Sequence, residues 1–280
     1  MKILLTGANG MLGTDLNERL TRDGHLCECV DINELDITDP IAVMNYINES
    51  RPEMIINAAA YTNVDACETE SETAFNVNAL GAKNLAAASA EFSIPILHFS
   101  TDYVFDGEKG APYVETDATN PLGVYGRSKL DGENHVRELT DRHFIVRIQS
   151  LYGKHGKNFV TTIINAARER GELRVVDDQW SSPTYTKDVC KTVSQLIKKR
   201  DYGTYHVSNS GVYSWFEFTR EILRLTGMEN VVLNPCAAKD YPRPAKRPRY
   251  SPLENKNLKS YGYETPRPVT EALEEFIKTL

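Results

Sequence analysis

The sequence predicts an α/β fold in which a doubly wound parallel sheet is joined to a smaller, interleaved C-terminal domain. In the first 150 residues, short runs rich in isoleucine, leucine and valine alternate with longer segments that repeat apolar residues at helical spacing. Strands that alternate with helices of this length form a parallel sheet with helices on both faces, and right-handed crossovers wind it in two directions. The 280 residues suffice for one large domain or two coupled ones.

The elements of the first half follow from period and composition. Short apolar runs predict strands at residues 3–5, 26–30, 54–58, 96–100 and 144–148. Apolar residues at helical spacing predict helices at residues 11–20, 40–47, 71–90 and 129–137. Pro40 stands in the first turn of its helix, where proline is tolerated because that N–H has no helical partner.

After about residue 150 the alternation becomes irregular. Helices are predicted at residues 158–170, 187–199 and 215–226, and strands at residues 173–176 and 205–208. Five prolines between residues 235 and 252 predict an extended segment. We therefore expect residues 1–150, together with 185–208, to form the domain of the large sheet, and residues 151–184 and 209–280 to form the second domain.

Composition excludes several classes of protein. The chain has 32 basic and 39 acidic residues and a net charge of −7, which disfavours binding to nucleic acid or to an acidic membrane. No apolar run reaches the roughly 18 to 20 residues of a membrane-spanning helix. Five scattered cysteines are typical neither of a disulfide framework nor of a zinc site. We expect a cytoplasmic enzyme or binding protein, and composition does not decide between them.

A glycine loop follows the first strand and opens the first helix. Its three glycines allow a tight turn, a close approach to a pyrophosphate, and N–H groups that face the anion at a helix N-terminus. The motif favours a Rossmann-type nucleotide site, although an ordinary turn between strand and helix also uses glycines. The candidate cofactor residues of this loop are Gly7, Asn9, Gly10, Met11, Leu12 and Gly13.

Asp31 ends the second strand, about 20 residues beyond the glycine loop, where a carboxylate binds the adenosine ribose. It would repel a 2′-phosphate, and no lysine or arginine lies within the loop to bind one. This favours NADH over NADPH; the alternative is a solvated acid in a turn. Asp36, Ile37 and residues 58–60 (Ala58, Ala59 and Ala60) follow at later strand ends, where the adenine and ribose would lie.

Tyr125 and Lys129 stand one helical turn apart on one face of a helix. A tyrosine that acts as a proton donor needs its pKa of about 10 brought nearer to neutrality, and a neighbouring ammonium would do this. Thr101 ends a buried strand, where open α/β sheets bind ligands, and its hydroxyl could bond a carbonyl oxygen. The alternatives are a surface Tyr–Lys pair and a threonine that only caps the strand end.

These motifs occur in the order and spacing of a known family. The glycine loop, residues 57–65 (NAAAYTNVD), residues 100–107 (STDYVFDG) and the Tyr125–Lys129 pair resemble the extended short-chain dehydrogenases/reductases, specifically the dTDP-4-dehydrorhamnose reductase family. Further similar segments lie at 151–153, 158–159, 178–184 and 243–248, so the resemblance spans nearly the whole chain.

The resemblance implies NAD(P)H-dependent reduction of the 4-keto group of dTDP-4-dehydro-L-rhamnose to dTDP-L-rhamnose. Tyr125 would then donate the proton, Thr101 would orient the oxygen, and Lys129 would tune Tyr125 and hold the ribose. Asp102 is followed by Tyr103 and not by the glutamate of related dehydratases, which favours a plain reductase. The residues expected at the nucleotide sugar are Val64, Asp102, Tyr103, Asn158, Trp180 and Arg247, the last because a basic cluster on the substrate side suits a diphosphate.

One departure leaves alternatives open. Ser150 stands where relatives usually carry a tryptophan beside the sugar, so either Trp180 fills the gap or the enzyme reduces another nucleotide-linked 4-keto-6-deoxysugar, such as an N-acetylated UDP-sugar. A third possibility is a non-catalytic regulatory subunit, as in methionine adenosyltransferase, although the intact Thr101, Tyr125 and Lys129 argue against it. A homodimer is possible. We expect no metal, because Asp15 would match one metal-binding glutamate of relatives but Lys187 falls near another.

Overall fold

Six parallel strands form the central sheet of the computed structural model, which describes residues 1–280. Their order across the sheet is β10-β5-β4-β3-β1-β2, and every neighbouring pair is parallel. The chain adds β2 on one side of β1 and then β3, β4, β5 and β10 in turn on the other side, as in doubly wound folds. The strands are β1 (Lys2–Thr6), β2 (Leu26–Val30), β3 (Met54–Asn57), β4 (Ile96–Thr101), β5 (His143–Ile148) and β10 (Gly203–His206).

Helices cover both faces of this sheet, and most were predicted with ends within a few residues. On one face α1 and α8 pack against each other, and their apolar residues join Ile3 and Leu5 of β1 in one core. On the other face α2, α5 and α6 enclose Leu4 and Ile55 in a second core. The helices are α1 (Met11–Arg22), α2 (Pro40–Ser50), α3 (Val64–Cys67), α4 (Ser71–Phe75), α5 (Ala82–Glu91), α6 (Val124–Leu139), α7 (Phe159–Arg170), α8 (Thr186–Lys199), α9 (Trp215–Leu225), α10 (Lys256–Ser260) and α11 (Val269–Ile277).

Two predicted helices differ from those observed. The segment predicted as one helix at 71–90 consists of α4, a π-helical stretch at Asn76–Gly81, and α5. Asn78 of that stretch is buried and bonds both the N–H and the C=O of Tyr61, so the wider turn serves a tertiary contact that periodicity cannot reveal. Helix α6 begins at Val124, five residues before the predicted start at Lys129, so Tyr125 lies within its first turn.

A third core lies among the elements after residue 150. Here α7, α9 and α11 enclose Tyr152, Tyr185, Phe218 and Phe276. Short strand pairs complete this part, and the segment predicted as extended contributes one strand, β12, that includes Pro235, followed by a 3-10 turn at Ala238–Asp240. The remaining strands are β6 (Leu151–Tyr152), β7 (Glu172–Val176), β8 (Trp180–Ser181), β9 (Thr184–Tyr185), β11 (Tyr213–Ser214) and β12 (Val232–Cys236).

The predicted α/β fold with a doubly wound parallel sheet is therefore confirmed. The strand predicted at 205–208 lies at Gly203–His206 and pairs with β5 at the edge of the sheet. None of the helices is long and apolar enough to cross a membrane.

Candidate active site

A cleft of about 770 Å³ opens at the carboxyl ends of the central strands. Parallel strands of open α/β sheets present their ligand sites at this edge, next to the point where the strand order reverses. Most of the predicted site residues line this cleft: Gly7, Gly10, Met11, Leu12, Gly13, Asp31, Asp36, Ile37, Ala58, Ala59, Ala60, Val64, Thr101, Asp102, Tyr103, Tyr125 and Lys129.

The glycine loop leaves no room for side chains. Gly7 has φ +67°, and a Cβ atom there would lie 2.5 Å from the Ala59 nitrogen. A Cβ atom at Gly13 would lie 2.2 Å from the Gly7 carbonyl oxygen. Helix α1 begins at Met11 after the N-cap residue Gly10, and no side chain caps its first N–H groups, which lie at the cleft. This geometry suits the backbone approach of a pyrophosphate.

Asp31 lies on the cleft wall at the end of β2, with Asp36 and Ile37 beside it. Its Oδ2 atom accepts a hydrogen bond from the Asn9 N–H at 3.1 Å. Asn9 itself is exposed and does not line the cleft, so its backbone holds Asp31 while its side chain points elsewhere. A carboxylate fixed in this way can accept hydrogen bonds from ribose hydroxyls.

Thr101 and Tyr125 reach the cleft from neighbouring elements. Thr101 ends β4 and caps the 3-10 turn at Asp102–Val104, its hydroxyl accepting the Tyr103 N–H at 3.2 Å. The rings of Tyr103 and Tyr125 meet edge to face with centroids 5.6 Å apart. Burial raises the pKa of Tyr125 well above its usual value, while the Thr101 hydroxyl acts in the opposite direction. The phenol is therefore protonated at neutral pH, as a proton donor must be.

Lys129 lies one turn along α6 and is 3% exposed. Lys129 lines the cleft, and its ammonium forms no hydrogen bond or ion pair within the protein. Burial lowers the pKa of Lys129 to about 8, although the carboxylate of Glu133 acts against this. The predicted lowering of the Tyr125 pKa by Lys129 is not found in the chain alone, because burial dominates both groups.

A buried ion pair supports this end of α6. Glu133 is fully buried and accepts hydrogen bonds from the Arg147 Nε and NH2 groups at 2.8 and 2.7 Å. Burial acts to raise the pKa of Glu133, but the pairing with Arg147 lowers it to about 2. The charge of this carboxylate therefore stays beside Lys129 throughout the neutral pH range.

Together these features fit a dinucleotide. Cβ atoms at Gly7 and Gly13 would fill the surface of the glycine loop, and Lys129 is a buried residue at the cleft whose ammonium pairs with no carboxylate. The residues that would hold the cofactor are the glycine loop for the pyrophosphate, Asp31 for the adenosine ribose, and Lys129 with Tyr125 for the nicotinamide ribose.

Three residues expected at the substrate do not line the cleft. Asn158 caps α7, with its side chain bonded to the Thr161 N–H and the Gly153 carbonyl. Trp180 lies in β8, where its N–H bonds the Arg249 carbonyl at 2.8 Å. Arg247 forms a two-point ion pair with Asp65, at 3.0 and 2.9 Å, behind Tyr103.

The cleft also includes a tryptophan that the sequence did not indicate. Trp215, in the first turn of α9, lines it together with Ser150. Ser150 has φ +45° and donates its hydroxyl to Ser181 at 2.9 Å. The tryptophan at the cleft is thus Trp215 and not Trp180. Only the packing of the second half of the chain brings it there, and no local motif marks it.

Asp15, Glu18 and His155 place three potential metal-ligand atoms within 4.8 Å of one another. The Asp15 carboxylate also accepts the Thr186 hydroxyl, and His155 lies 3.7 Å from Asp15 and 3.6 Å from Glu18. These contacts hold the three side chains together without a metal ion. The expectation of no metal stays a prediction.

Comparison with known proteins places this site in a family. The model of the RmlD substrate binding domain family matches residues 1–280. The chain is 40% identical to a dTDP-4-dehydrorhamnose reductase of Aggregatibacter actinomycetemcomitans, over 90% of each protein. The crystal structure of a dTDP-4-dehydrorhamnose reductase from Clostridium acetobutylicum has a TM-score of 0.97 at 44% identity, covering 100% of this chain and 99% of that one.

A second solved structure, dTDP-4-dehydrorhamnose reductase from Bacillus anthracis in complex with NADP, has a TM-score of 0.97 at 41% identity, with the same coverage. Both the family match and these relatives extend over nearly the full length of the chain. The chain with the glycine loop, Thr101, Tyr125 and Lys129 at one cleft therefore belongs to the RmlD substrate binding domain family.

Proposed function

We propose that the chain is an NAD(P)H-dependent oxidoreductase that reduces the 4-keto group of dTDP-4-dehydro-L-rhamnose to give dTDP-L-rhamnose. The observation that carries this proposal is the convergence of Thr101, Tyr125 and Lys129 on the cleft that also contains the glycine loop. Relatives named as dTDP-4-dehydrorhamnose reductases at 35–40% identity support it.

Each of the three side chains has a separate task. The reduced nicotinamide supplies the hydride when it is bound. Tyr125 transfers its phenolic proton to the sugar oxygen as negative charge develops there. Thr101 orients that oxygen once its hydroxyl proton, which Asp102 accepts in the chain alone, turns to the sugar. Lys129 holds the nicotinamide ribose and, as a cation, stabilises the phenolate left after proton transfer.

The sugar side of the cleft is formed by Val64, Asp102 and Tyr103, to which Trp215 is added. Arg247 contacts Asp65, so its part in diphosphate binding would require exchange of this carboxylate for the ligand. Arg247 would therefore bind the diphosphate only after it releases Asp65. Asn158 and Trp180 would act on the substrate indirectly, through the loops that they hold.

NADH is the cofactor that Asp31 favours, since a carboxylate at the ribose repels a 2′-phosphate. The Asn9 N–H donates a hydrogen bond to that carboxylate and so fixes its position at the cleft. The related Bacillus anthracis protein was solved with NADP, so the preference must be measured. Initial rates with NADH and NADPH at equal concentrations decide it, and a higher kcat/KM with NADPH would contradict the proposal.

The substrate is tested by following cofactor oxidation with dTDP-4-dehydro-L-rhamnose beside a UDP-linked 4-keto-6-deoxysugar. The second candidate, reduction of another nucleotide-linked 6-deoxysugar, is favoured by Ser150, a small residue that lines the cleft and donates its hydroxyl to Ser181. Faster turnover of the UDP compound would favour it. Failure with every keto-sugar, together with stable association with another enzyme, would favour a regulatory subunit.

The proposed function includes expectations on the location of the protein in the cell and on its oligomeric state. All five cysteines are unpaired, which is typical of the reducing cytoplasm. A homodimer remains a proposal that rests on the family resemblance, and light scattering of the purified protein gives the mass that tests it.

A further inference from the structure

Residues 247–255, which we call the strap, cross from the second half of the chain to the catalytic strand ends. The strap pairs with β8, where the Ser251 N–H bonds the Trp180 carbonyl at 3.0 Å. Further on, Leu253 forms a bridge with Tyr113. The strap therefore touches both halves of the molecule over a few residues.

Within the strap, the Ser251 hydroxyl donates a hydrogen bond to the Asp102 Oδ2 atom at 2.6 Å. Ser251 and Asp102 are each 3% exposed. The second oxygen of Asp102 accepts the Thr101 hydroxyl at 3.1 Å. Each oxygen of this buried carboxyl group thus has one hydroxyl partner, one from the strap and one from the catalytic strand.

This arrangement matters for Thr101, whose hydroxyl has only one proton to donate. Its oxygen already accepts the Tyr103 N–H, and its proton points to Asp102. If the Asp102 carboxyl group rotated, the Thr101 hydroxyl would lose the partner that fixes its direction. Without Ser251, one oxygen of Asp102 would be buried and unpaired, which favours such a rotation.

We propose that Ser251 is a positioning residue for the reduction: it fixes the carboxyl group of Asp102, which holds the Thr101 side chain beside the Tyr125 phenol until the sugar oxygen accepts the hydroxyl proton. This inference rests on the proposed reductase function and adds a residue from the strap to its machinery. Ser251 acts only through Asp102 and Thr101, and it does not line the cleft.

The charges around Asp102 indicate a readout for this role. Burial raises the pKa of Asp102 to about 6, against the hydrogen bonds from Ser251 and Thr101. The other ionisable groups at this position are Tyr103 and Tyr125, which lie close enough to be affected by its charge, and Arg247 with Asp65 behind Tyr103. Loss of the Ser251 hydroxyl should therefore raise the Asp102 pKa further.

The experiment compares three variants of the full-length enzyme. Ser251→Ala removes the hydroxyl, Ser251→Thr retains one, and Ser208→Ala is the matched control. Ser208 is also buried and bonds the Leu253 carbonyl of the strap at 2.9 Å, but it does not contact Asp102. All three are assayed for kcat and KM between pH 5 and pH 9, for NADH binding by fluorescence, and for Tm.

For Ser251→Ala we expect kcat to fall about tenfold, as for the loss of a hydrogen bond to a charged group, with NADH affinity unchanged. The acidic limb of its pH profile should move up by about one unit. Ser251→Thr should recover most of the rate. Ser208→Ala should lower Tm while leaving kcat and the pH profile as in the wild type.

A Ser251→Ala enzyme whose kcat and pH profile match those of Ser208→Ala would overturn the inference while the proposed function stands. The same holds if Ser251→Thr is as slow as Ser251→Ala although it binds NADH normally. A wild-type protein that oxidises neither NADH nor NADPH with any keto-sugar would overturn the proposed function, and the inference with it.

Discussion

Lys129→Met should make the protein more stable and nearly inactive. Burial lowers the pKa of Lys129 from 10.5 to about 8. Below pH 8 Lys129 is therefore charged in both states, but the folded protein binds the Lys129 proton less tightly than the unfolded chain does. A shift of this size corresponds to about 3 kcal/mol. Methionine has a similar length and no charge, so the variant avoids this cost.

The sign of the effect changes with pH in a defined way. Between pH 8 and pH 10.5 the folded wild type has released the Lys129 proton while the unfolded chain still binds it, so wild-type stability rises with pH relative to the variant. The variant should therefore exceed the wild type by up to about 3 kcal/mol at pH 7, and the difference should vanish near pH 10.5.

Urea unfolding of the protein without cofactor, at pH 7, 8.5 and 10, measures this difference. Lys83→Met is the matched control, because Lys83 is an exposed lysine of α5 and its loss should change stability by less than about 0.5 kcal/mol. Turnover of Lys129→Met should fall about 100-fold. A variant that is less stable than the wild type at pH 7, or a difference that does not depend on pH, would refute the reasoning.

Three further substitutions test the site and its support. Tyr125→Phe should lower kcat by a factor of about 10²–10⁴ while NADH binding, measured by fluorescence, stays unchanged; full activity would exclude Tyr125 as the proton donor. Asp31→Ser should raise kcat/KM for NADPH relative to NADH by about tenfold, and an unchanged ratio would show that Asp31 does not select the cofactor. Arg147→Met should destabilise the protein by about 3–5 kcal/mol in urea unfolding, because it leaves the buried Glu133 without its main partner; a loss below about 1 kcal/mol would mean that Arg137, 2.5 Å from the same carboxylate, is sufficient.

The fold could be predicted largely because its signals are local. Strands β3 and β4 are buried throughout and β1 is buried from Ile3 onward, so their sequences contain short apolar runs. The π-helical turn within residues 71–91 could not be predicted, because it depends on the contact between Asn78 and Tyr61. Helix α11 was not predicted at all: its apolar face is only nine residues long and packs in the third core.

The same contrast applies to the site. The glycine loop and the Tyr125–Lys129 pair are each contiguous in sequence, so spacing alone indicates their chemistry. Arg247 was recognised by its charge, but its partner Asp65 lies 182 residues away and no spacing links them. Ser251 likewise meets Asp102 only through folding, 149 residues apart. Polar pairs of this kind depend on tertiary packing, which a single sequence does not reveal.

The position of the strap also bears on how the protein is made. A growing chain on the ribosome completes the first five strands of the sheet with residue 148, and domains generally fold as units from the N-terminus. Strand β10 closes the edge of the sheet only at residue 206, and Ser251 emerges later still. The nascent protein therefore has its glycine loop, Thr101, Tyr125 and Lys129 well before Ser251 bonds Asp102. The hydrogen bonds around Thr101 are therefore complete only after residue 251 has been made.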